Sequence, residues 1–169
     1  HGPWALFTSG SKSFNIPAFT GAYGFIPEEN ERDSYLQALK GRDGLSSPSV
    51  PARGAHIAAY RDGAPWLDAL RDYLQANMRY VADTLNNAFP ALCWQPPEAT
   101  YLAWIDLRPL NVDDRALQQA LIAEQKVAIM PGYTYGPEGN GFLRLNVGCP
   151  REKLERGVEG LIAALRSLS

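Results

Sequence analysis

The sequence has few cysteines and few histidines, and none of them is grouped. Cys93 and Cys149 lack a pairing pattern, so we expect two reduced thiols rather than a disulfide. His1 and His56 have no cysteine, histidine or carboxylate partner at the spacing of metal ligands. The sequence therefore predicts neither a disulfide framework nor a metal site.

Long apolar runs and clusters of basic residues are also missing. The longest apolar stretches, such as residues 101–107, are far shorter than the roughly 20 residues that span a bilayer, and the N-terminus lacks the basic and apolar regions of a signal peptide. The net charge of -2 gives no electrostatic reason to expect nucleic acid or an anionic membrane as a partner. We therefore expect a cytoplasmic protein with no membrane and no nucleic-acid partner.

The composition is that of a globular domain, since 46% of the 169 residues are hydrophobic and 20% are charged. The chain begins without a methionine, and residues 4–7 have the pattern of a buried strand already in progress. We expect the chain to be a C-terminal fragment of a longer polypeptide.

The first part of the chain predicts a loop between two core elements. After the opening strand, residues 8–15 are small and hydroxylated, and residues 18–26 form a second core strand or short helix. Residues 33–40 fit a short helix that ends at Gly41. Residues 46–51 fit the cap of a further helix, which runs to about residue 60 and breaks at residues 62–63.

The second part predicts a long helix followed by alternating strands and helices. Residues 65–89 carry apolar side chains three and four positions apart, as in a helix that connects two domains. Strands are expected at residues 101–107, 126–130 and 142–147, and helices at residues 113–125, where Asp113 is the cap, and 151–168. This order is typical of α/β architecture. We place one domain in residues 1–64, and the connecting helix with a smaller α/β domain in residues 65–169.

Lys12 is the residue best suited to chemistry in the first loop. A lysine among small hydroxyl residues at the end of a buried strand can be shielded from water and held near an electrophilic carbonyl, where its amine acts as a nucleophile. A solvated surface charge is the alternative explanation for a lysine in a polar loop. The local string does not decide between them.

Several longer strings resemble a known family. Residues 9–15 (SGSKSFN) are similar to the lysine signature of the class I and II aminotransferases, the fold-type I pyridoxal-phosphate (PLP) enzymes. Residues 19–25, 38–49, 63–68 and 128–136 resemble one subgroup, the cystathionine β-lyases of the MalY type, which includes a repressor of the maltose regulon. The resemblance implies that the chain is the C-terminal part of a PLP-dependent transferase fold, with the end of the large domain and the small α/β domain.

The resemblance also assigns roles to residues of the first loop. Lys12 matches the lysine that bonds covalently to PLP, and Ser9 matches a hydroxyl that binds the cofactor phosphate. Ser11 is a weaker candidate for the same role, and simple turn chemistry is the alternative for both serines. Many members of the family have an arginine eight residues after the lysine, where this sequence has Thr20. The phosphate site therefore carries less positive charge or draws it from elsewhere.

Arg144, within residues 142–147, matches the arginine that binds the substrate carboxylate in this family. A planar guanidinium meets a carboxylate with two parallel hydrogen bonds and so fixes the substrate's orientation. Without the resemblance, Arg144 would be interpreted as a surface charge on an edge strand. Residues 101, 104, 133 and 135 are aromatic and are expected in the core or in a pocket wall rather than in catalysis.

The activity implied by the resemblance is cleavage of a carbon–sulfur bond in cystathionine or a related amino acid by α,β-elimination. The alternatives are an aminotransferase on a small amino acid and a non-enzymatic repressor that binds a transcriptional activator. The resemblance further implies a homodimer. We expect the 169-residue chain by itself to be inactive and to bind PLP poorly.

Overall fold

The computed structural model describes residues 2–45 and 49–168. The chain divides into two compact units, His1–Leu70 and Arg71–Ser169, and the division falls within its longest helix. The domain boundary expected at residues 64–65 stays a prediction.

The first unit contains a small antiparallel sheet and two helices. Strands β1 (Leu6–Thr8) and β2 (Tyr23–Phe25) pair with Leu6 opposite Phe25. The strand predicted at residues 4–7 is present, and of the strand or short helix predicted at residues 18–26 the strand is present. The predicted burial of both was wrong, since Phe7 is 49% and Phe25 is 54% exposed. Of the described residues in this unit, only Gly10 and Ala52 are buried, so no second layer covers the sheet.

The helices of this unit follow their capping residues. Helix α1 (Glu29–Gln37) begins earlier than predicted and continues as a π-helical turn (Ala38–Arg42), so the chain does not leave the helix at Gly41. Helix α2 (Val50–Asp62) begins as predicted, because the Ser49 hydroxyl accepts a hydrogen bond from the Ala52 N–H. The first three residues of the predicted cap, 46–48, lie outside the described residues.

The second unit is built on a three-stranded antiparallel sheet. Helix α3 (Ala64–Ala88) leads towards strands β3 (Leu102–Asp106), β4 (Met130–Pro131) and β5 (Phe142–Asn146), which lie in the order β3–β5–β4. The strands predicted at residues 101–107 and 142–147 are confirmed.

The strand predicted at residues 126–130 is wrong except at Met130. Lys126 adopts a positive φ of 56°, and the Val127 N–H donates to the Leu121 carbonyl at 2.9 Å. The segment is used to close the end of helix α4 (Asp114–Ala123) instead of pairing with a strand. The Asp113 carboxylate caps the start of α4, as predicted, by accepting from the N–H groups of Arg115 and Ala116.

The core of the second unit lies between one face of the sheet and the helices. Helix α5 (Arg151–Ser167) contributes Leu154, Val158 and Leu161, which are at most 1% exposed. Along β5, Leu143 and Leu145 point into this core, so the alternation of a strand places Arg144 on the opposite face. This face carries one of the two groups of candidate functional residues.

Candidate active site

The loop that carries Lys12 is a tight series of turns. The Phe14 N–H donates to the Gly10 carbonyl at 3.0 Å, and the Ile16 N–H donates to the Ser11 carbonyl at 2.9 Å. Asn15 takes a positive φ of 52°, which asparagine tolerates better than most residues. Lys12 lies at the turn, where its side chain is exposed and has no hydrogen bond or ion pair with any described residue.

The exposure of Lys12 differs from the sheltered position that its sequence context predicts. The reason is the same as for β1 and β2, since the described residues of this unit provide almost no second layer. Within residues 2–45 and 49–168, the Lys12 amine therefore has no hydrogen-bond or ion-pair partner. Its predicted covalent role stays a prediction.

The loop is seated on α2 through Gly10 and Phe14. A Cβ atom added at Gly10 would lie 3.1 Å from Tyr60 Cε2 and 3.2 Å from Phe14 Cδ2. The rings of Phe14 and Tyr60 meet edge to face with centroids 5.2 Å apart. Gly10 therefore packs closely against both rings, just before Lys12.

Ser9 uses its hydroxyl within the protein. Its O–H donates to the Gly21 carbonyl at 2.7 Å, and its oxygen accepts from the Ser11 N–H at 3.2 Å. The oxygen also lies 3.3 Å from Nε2 of His56, a residue that no sequence pattern had placed here. By contrast, the Ser11 hydroxyl has no hydrogen bond to a described residue.

Arg144 lies at the centre of the sheet face that points away from the core. It is in register with Trp104 on β3 and with Met130 on β4. Its guanidinium carbon lies 4.6 Å from the centroid of the Tyr135 ring. Within residues 2–45 and 49–168, no carboxylate forms an ion pair with Arg144, so both edges of its guanidinium remain available to an anion.

The neighbouring Arg108, unlike Arg144, forms an ion pair with a carboxylate. Its guanidinium pairs with the Asp106 carboxylate at 2.7 Å and lies 4.6 Å from the Phe142 ring centroid. The hydrogen bonds from Arg108 lower the pKa of the Asp106 carboxyl. Arg108 is therefore already neutralised, whereas Arg144 is not.

Aromatic rings surround Arg144. Trp104 stacks on Phe142 at 5.5 Å and meets Tyr135 edge to face at 5.7 Å. Trp104 and Tyr135 are 39% and 47% exposed, so they form a surface wall and not part of the core. The sequence had left core and wall as alternatives for both, because only the strand register shows that Trp104 lies beside Arg144.

Two short 3-10 turns hold Tyr135 in this wall. The turns Gly132–Tyr135 and Pro137–Gly139 cross so closely that a Cβ atom on Gly139 would overlap the carbonyl oxygen of Gly132. Both turns lead into β5.

The predicted site residues therefore fall into two groups. Ser9, Ser11 and Lys12 share the loop of the first unit, and Arg144 belongs to the second unit. No group of three or more metal-ligating side chains occurs among the described residues. None of the helices described is both long enough and apolar enough to cross a membrane.

The aminotransferase class I and II family model matches residues 1–161. The chain belongs to this family. Within it, the chain is 71% identical to Protein MalY of Escherichia coli (strain K12), over 99% of the chain and 43% of that protein. It is 37% identical to Cystathionine beta-lyase PatB of Bacillus subtilis (strain 168), over 92% of the chain and 40% of that protein.

A solved structure of the same fold supports the assignment to this aminotransferase family. Cystalysin from Treponema denticola, whose crystal structure contains pyridoxal 5'-phosphate, matches with a TM-score of 0.86 at 29% identity. The match covers 98% of this chain and 42% of cystalysin. The α/β fold expected for the C-terminal part of a PLP-dependent transferase is therefore confirmed, and the chain spans about two fifths of the length of these relatives.

Proposed function

We propose that the full-length protein is a PLP-dependent carbon–sulfur lyase that cleaves cystathionine or a related cysteine conjugate by α,β-elimination. The observations that support this proposal are the match to the aminotransferase class I and II family over residues 1–161 and a Lys12 amine, in the turn at residues 9–15, that has no partner among the described residues. The 37% identity to a cystathionine beta-lyase supports the choice of substrate class.

The residues of the loop fit an aldehyde cofactor that carries a phosphate. Among the described residues, the Lys12 amine has no partner to lose before it bonds to an aldehyde, and the Ser11 hydroxyl is available as a donor to a phosphate oxygen. The Ser9 hydroxyl fits as a second donor if its hydrogen leaves the Gly21 carbonyl. When bound, PLP supplies a conjugated ring that stores the electron pair released at the substrate's α-carbon.

Arg144 would bind and orient the substrate. Its unpaired guanidinium can donate two parallel hydrogen bonds to the α-carboxylate, while the stack on Tyr135 restricts its rotation. Orientation decides the outcome, because the bond that breaks is the one held perpendicular to the cofactor ring. A fixed carboxylate thus favours loss of the α-proton over decarboxylation.

Lys12 would act as the general base once the substrate's amine has replaced it. Its Nζ takes the proton from the α-carbon, and the bond between the β-carbon and sulfur breaks with the electron pair leaving on sulfur. The thiolate takes up a proton to leave as a thiol. Water converts the remaining three-carbon enamine acid to pyruvate and ammonia.

The test uses the full-length protein and cystathionine. We expect pyruvate release without any added 2-oxo acid, and borohydride treatment in the presence of PLP to label Lys12. The Lys12→Ala variant should lose both. Turnover only with a 2-oxo acid acceptor would instead assign the protein to the aminotransferases, whose name the family carries.

The partners implied by the sequence are part of the same proposal. A homodimer and a cytoplasmic location would fit the lyase, and sedimentation of the full-length protein tests the first of these. A transcriptional activator as partner rests only on the resemblance of the sequence to the MalY-type subgroup, which includes a repressor of the maltose regulon. Repression that survives in the Lys12→Ala variant would show the two functions to be separate.

A further inference from the structure

His56 is the titratable side chain next to the Lys12 loop that the proposed reaction leaves unused. It lies half-buried on α2, with Nδ1 2.8 Å from the Ala52 carbonyl oxygen and Nε2 3.3 Å from the Ser9 hydroxyl oxygen. Gly21 packs on the other side, since a Cβ atom added there would lie 3.5 Å from His56 Cε1. The ring therefore joins three separate segments at the base of the loop.

When His56 is neutral, His56 and Ser9 together have too few N–H and O–H hydrogens for all the contacts that they make. A carbonyl oxygen only accepts, so the contact with Ala52 places the hydrogen of a neutral imidazole on Nδ1 and leaves Nε2 as an acceptor. Ser9 has a single hydroxyl hydrogen. Two acceptors then compete for it: the Gly21 carbonyl at 2.7 Å and His56 Nε2 at 3.3 Å.

A doubly protonated His56 removes the competition. Its Nε2–H then donates to the Ser9 oxygen, which also accepts from the Ser11 N–H, and the two lone pairs of the hydroxyl are both used. The Ser9 hydrogen is the one remaining donor of the hydroxyl. It can point only at an acceptor outside this pair, either the Gly21 carbonyl or a bound anion.

We infer that His56 is a positioning residue for phosphate binding: it directs the Ser9 O–H towards the cofactor phosphate and takes up a proton when the phosphate binds. This inference rests on the proposed function. A phosphate at Ser9 receives the hydroxyl hydrogen and also favours the positive charge on the adjacent imidazole. The coupling would arise because the Ser9 oxygen lies 3.3 Å from His56 Nε2 and would also donate to the phosphate.

Among the described residues, no charged side chain forms a hydrogen bond or ion pair with the imidazole ring of His56. The segments packed on the ring and its own helix carry several titratable side chains, and none of them forms a hydrogen bond or ion pair with the ring among the described residues: Lys12, Tyr23, Arg53, Tyr60, Arg61 and Asp62. The hydrogen-bonding neighbours of His56 are thus a hydroxyl and a backbone carbonyl. Its charge can respond to an anion placed at Ser9.

The experiment compares PLP with pyridoxal, which has the same aldehyde and lacks the phosphate. Dissociation constants of both are measured for the full-length apoprotein at about pH 6 and about pH 8, on either side of the usual histidine range. Two variants separate charge from hydrogen bonding. His56→Ala removes both, and His56→Gln offers an amide donor to Ser9 without a charge.

We expect His56→Ala to weaken PLP binding by about tenfold at the lower pH and by less at the higher pH, since a charge-assisted hydrogen bond is lost. The dissociation constant of pyridoxal should change by no more than about twofold, because pyridoxal has no phosphate to contact Ser9. His56→Gln should keep more PLP affinity than His56→Ala at the higher pH and should lose the dependence of the PLP-to-pyridoxal ratio on pH.

An unchanged ratio of the two affinities in His56→Ala would overturn the inference. An equal loss of PLP and pyridoxal binding would do the same, because it would show a general structural role. A full pH dependence retained in His56→Gln would also count against proton uptake at this residue. Borohydride labelling of Lys12 is run in parallel, so failure of the proposed function, with no label at Lys12, is distinguished from failure of the inference alone.

Discussion

At the scale of single residues, the chain contains arginines that are paired with an aspartate and arginines that are not. Arg42, Arg61 and Arg108 each bond to a nearby aspartate, and their own pKa values are raised by that contact. Arg144 instead has an aromatic ring beneath it and no carboxylate among the described residues, so it keeps capacity for an external anion. Arg115 and Arg151 lie over tyrosine rings in the same way, and the family resemblance is what distinguishes Arg144 from them.

Replacing Arg144 by lysine should therefore damage substrate binding even though the charge is kept. We expect kcat/KM of the full-length protein for cystathionine to fall by about 30- to 100-fold, because one of two parallel charge-assisted hydrogen bonds and the stack on Tyr135 are lost. Arg108→Lys is the matched control, since Arg108 lies on the same unit and is already bound to Asp106. Equal effects of the two variants on steady-state kinetics would contradict the role of Arg144.

The pair of Asp106 and Arg108 gives a prediction for acid. Because Arg108 holds the pKa of the Asp106 carboxyl below its usual range, the pair stabilises the folded state above about pH 4, and this contribution is lost as the pH falls through the lowered value. The effect is small because both side chains are partly exposed. Urea unfolding of Asp106→Asn against the unchanged chain, at about pH 3 and pH 6, should show a smaller difference in stability at pH 3 than at pH 6. A difference that grows towards low pH would show that the sign is wrong.

At the scale of elements, the site depends on segments that lie between the regular helices and strands. The two 3-10 turns hold Tyr135 over Arg144, and the buried Asn77 of α3 ties down the end of β5 by donating to the Val147 carbonyl at 2.8 Å. These contacts join residues far apart in sequence. Periodicity could predict α3 and β5, but not which turn would lie against which strand.

A methyl group on Gly139 should disturb the aromatic wall. The added Cβ in Gly139→Ala would overlap the Gly132 carbonyl, so the two turns must separate and carry Tyr135 away from Arg144. We expect a loss of stability of about 1 to 3 kcal/mol, measured by urea unfolding, together with a changed near-ultraviolet circular dichroism signal from Trp104 and Tyr135.

Gly157→Ala is the matched control for this experiment. Gly157 lies within α5, and an added Cβ meets nothing within 4 Å, so alanine should be neutral or should stabilise the helix by up to about 1 kcal/mol. A Gly139→Ala variant as stable as Gly157→Ala would show that the turns tolerate the extra volume.

At the scale of the whole molecule, burial is divided unevenly between the two units. The hydrophobic core cluster lies entirely between residues 78 and 165, whereas large apolar side chains of the first unit, such as Trp4 and Phe7, are about half exposed. Because buried apolar area is the main stabilising term in folding, the second unit holds most of the chain's stability.

Hydrogen exchange of the 169-residue chain should reveal this division. Amides of β5 and α5 should exchange far more slowly than amides of β1, β2 and α2, by about 100-fold or more if the units differ by about 3 kcal/mol in opening free energy. The full-length protein serves as the comparison, and there the first unit should gain protection. Uniform protection across the isolated chain would contradict this account.

The sequence by itself determined the elements and the chemistry of individual side chains. Heptad-like apolar spacing predicted α3, Ser49 and Asp113 predicted the starts of two helices, and the strings around Lys12 and Arg144 indicated the family, because each of these signals is local along the chain. The exposure of β1, the loss of the strand at residues 126–130 and the placing of Trp104, Tyr135 and His56 were decided only by tertiary structure. These features depend on which distant segments pack together, and a spacing of residues along one segment carries no information about its neighbours in space.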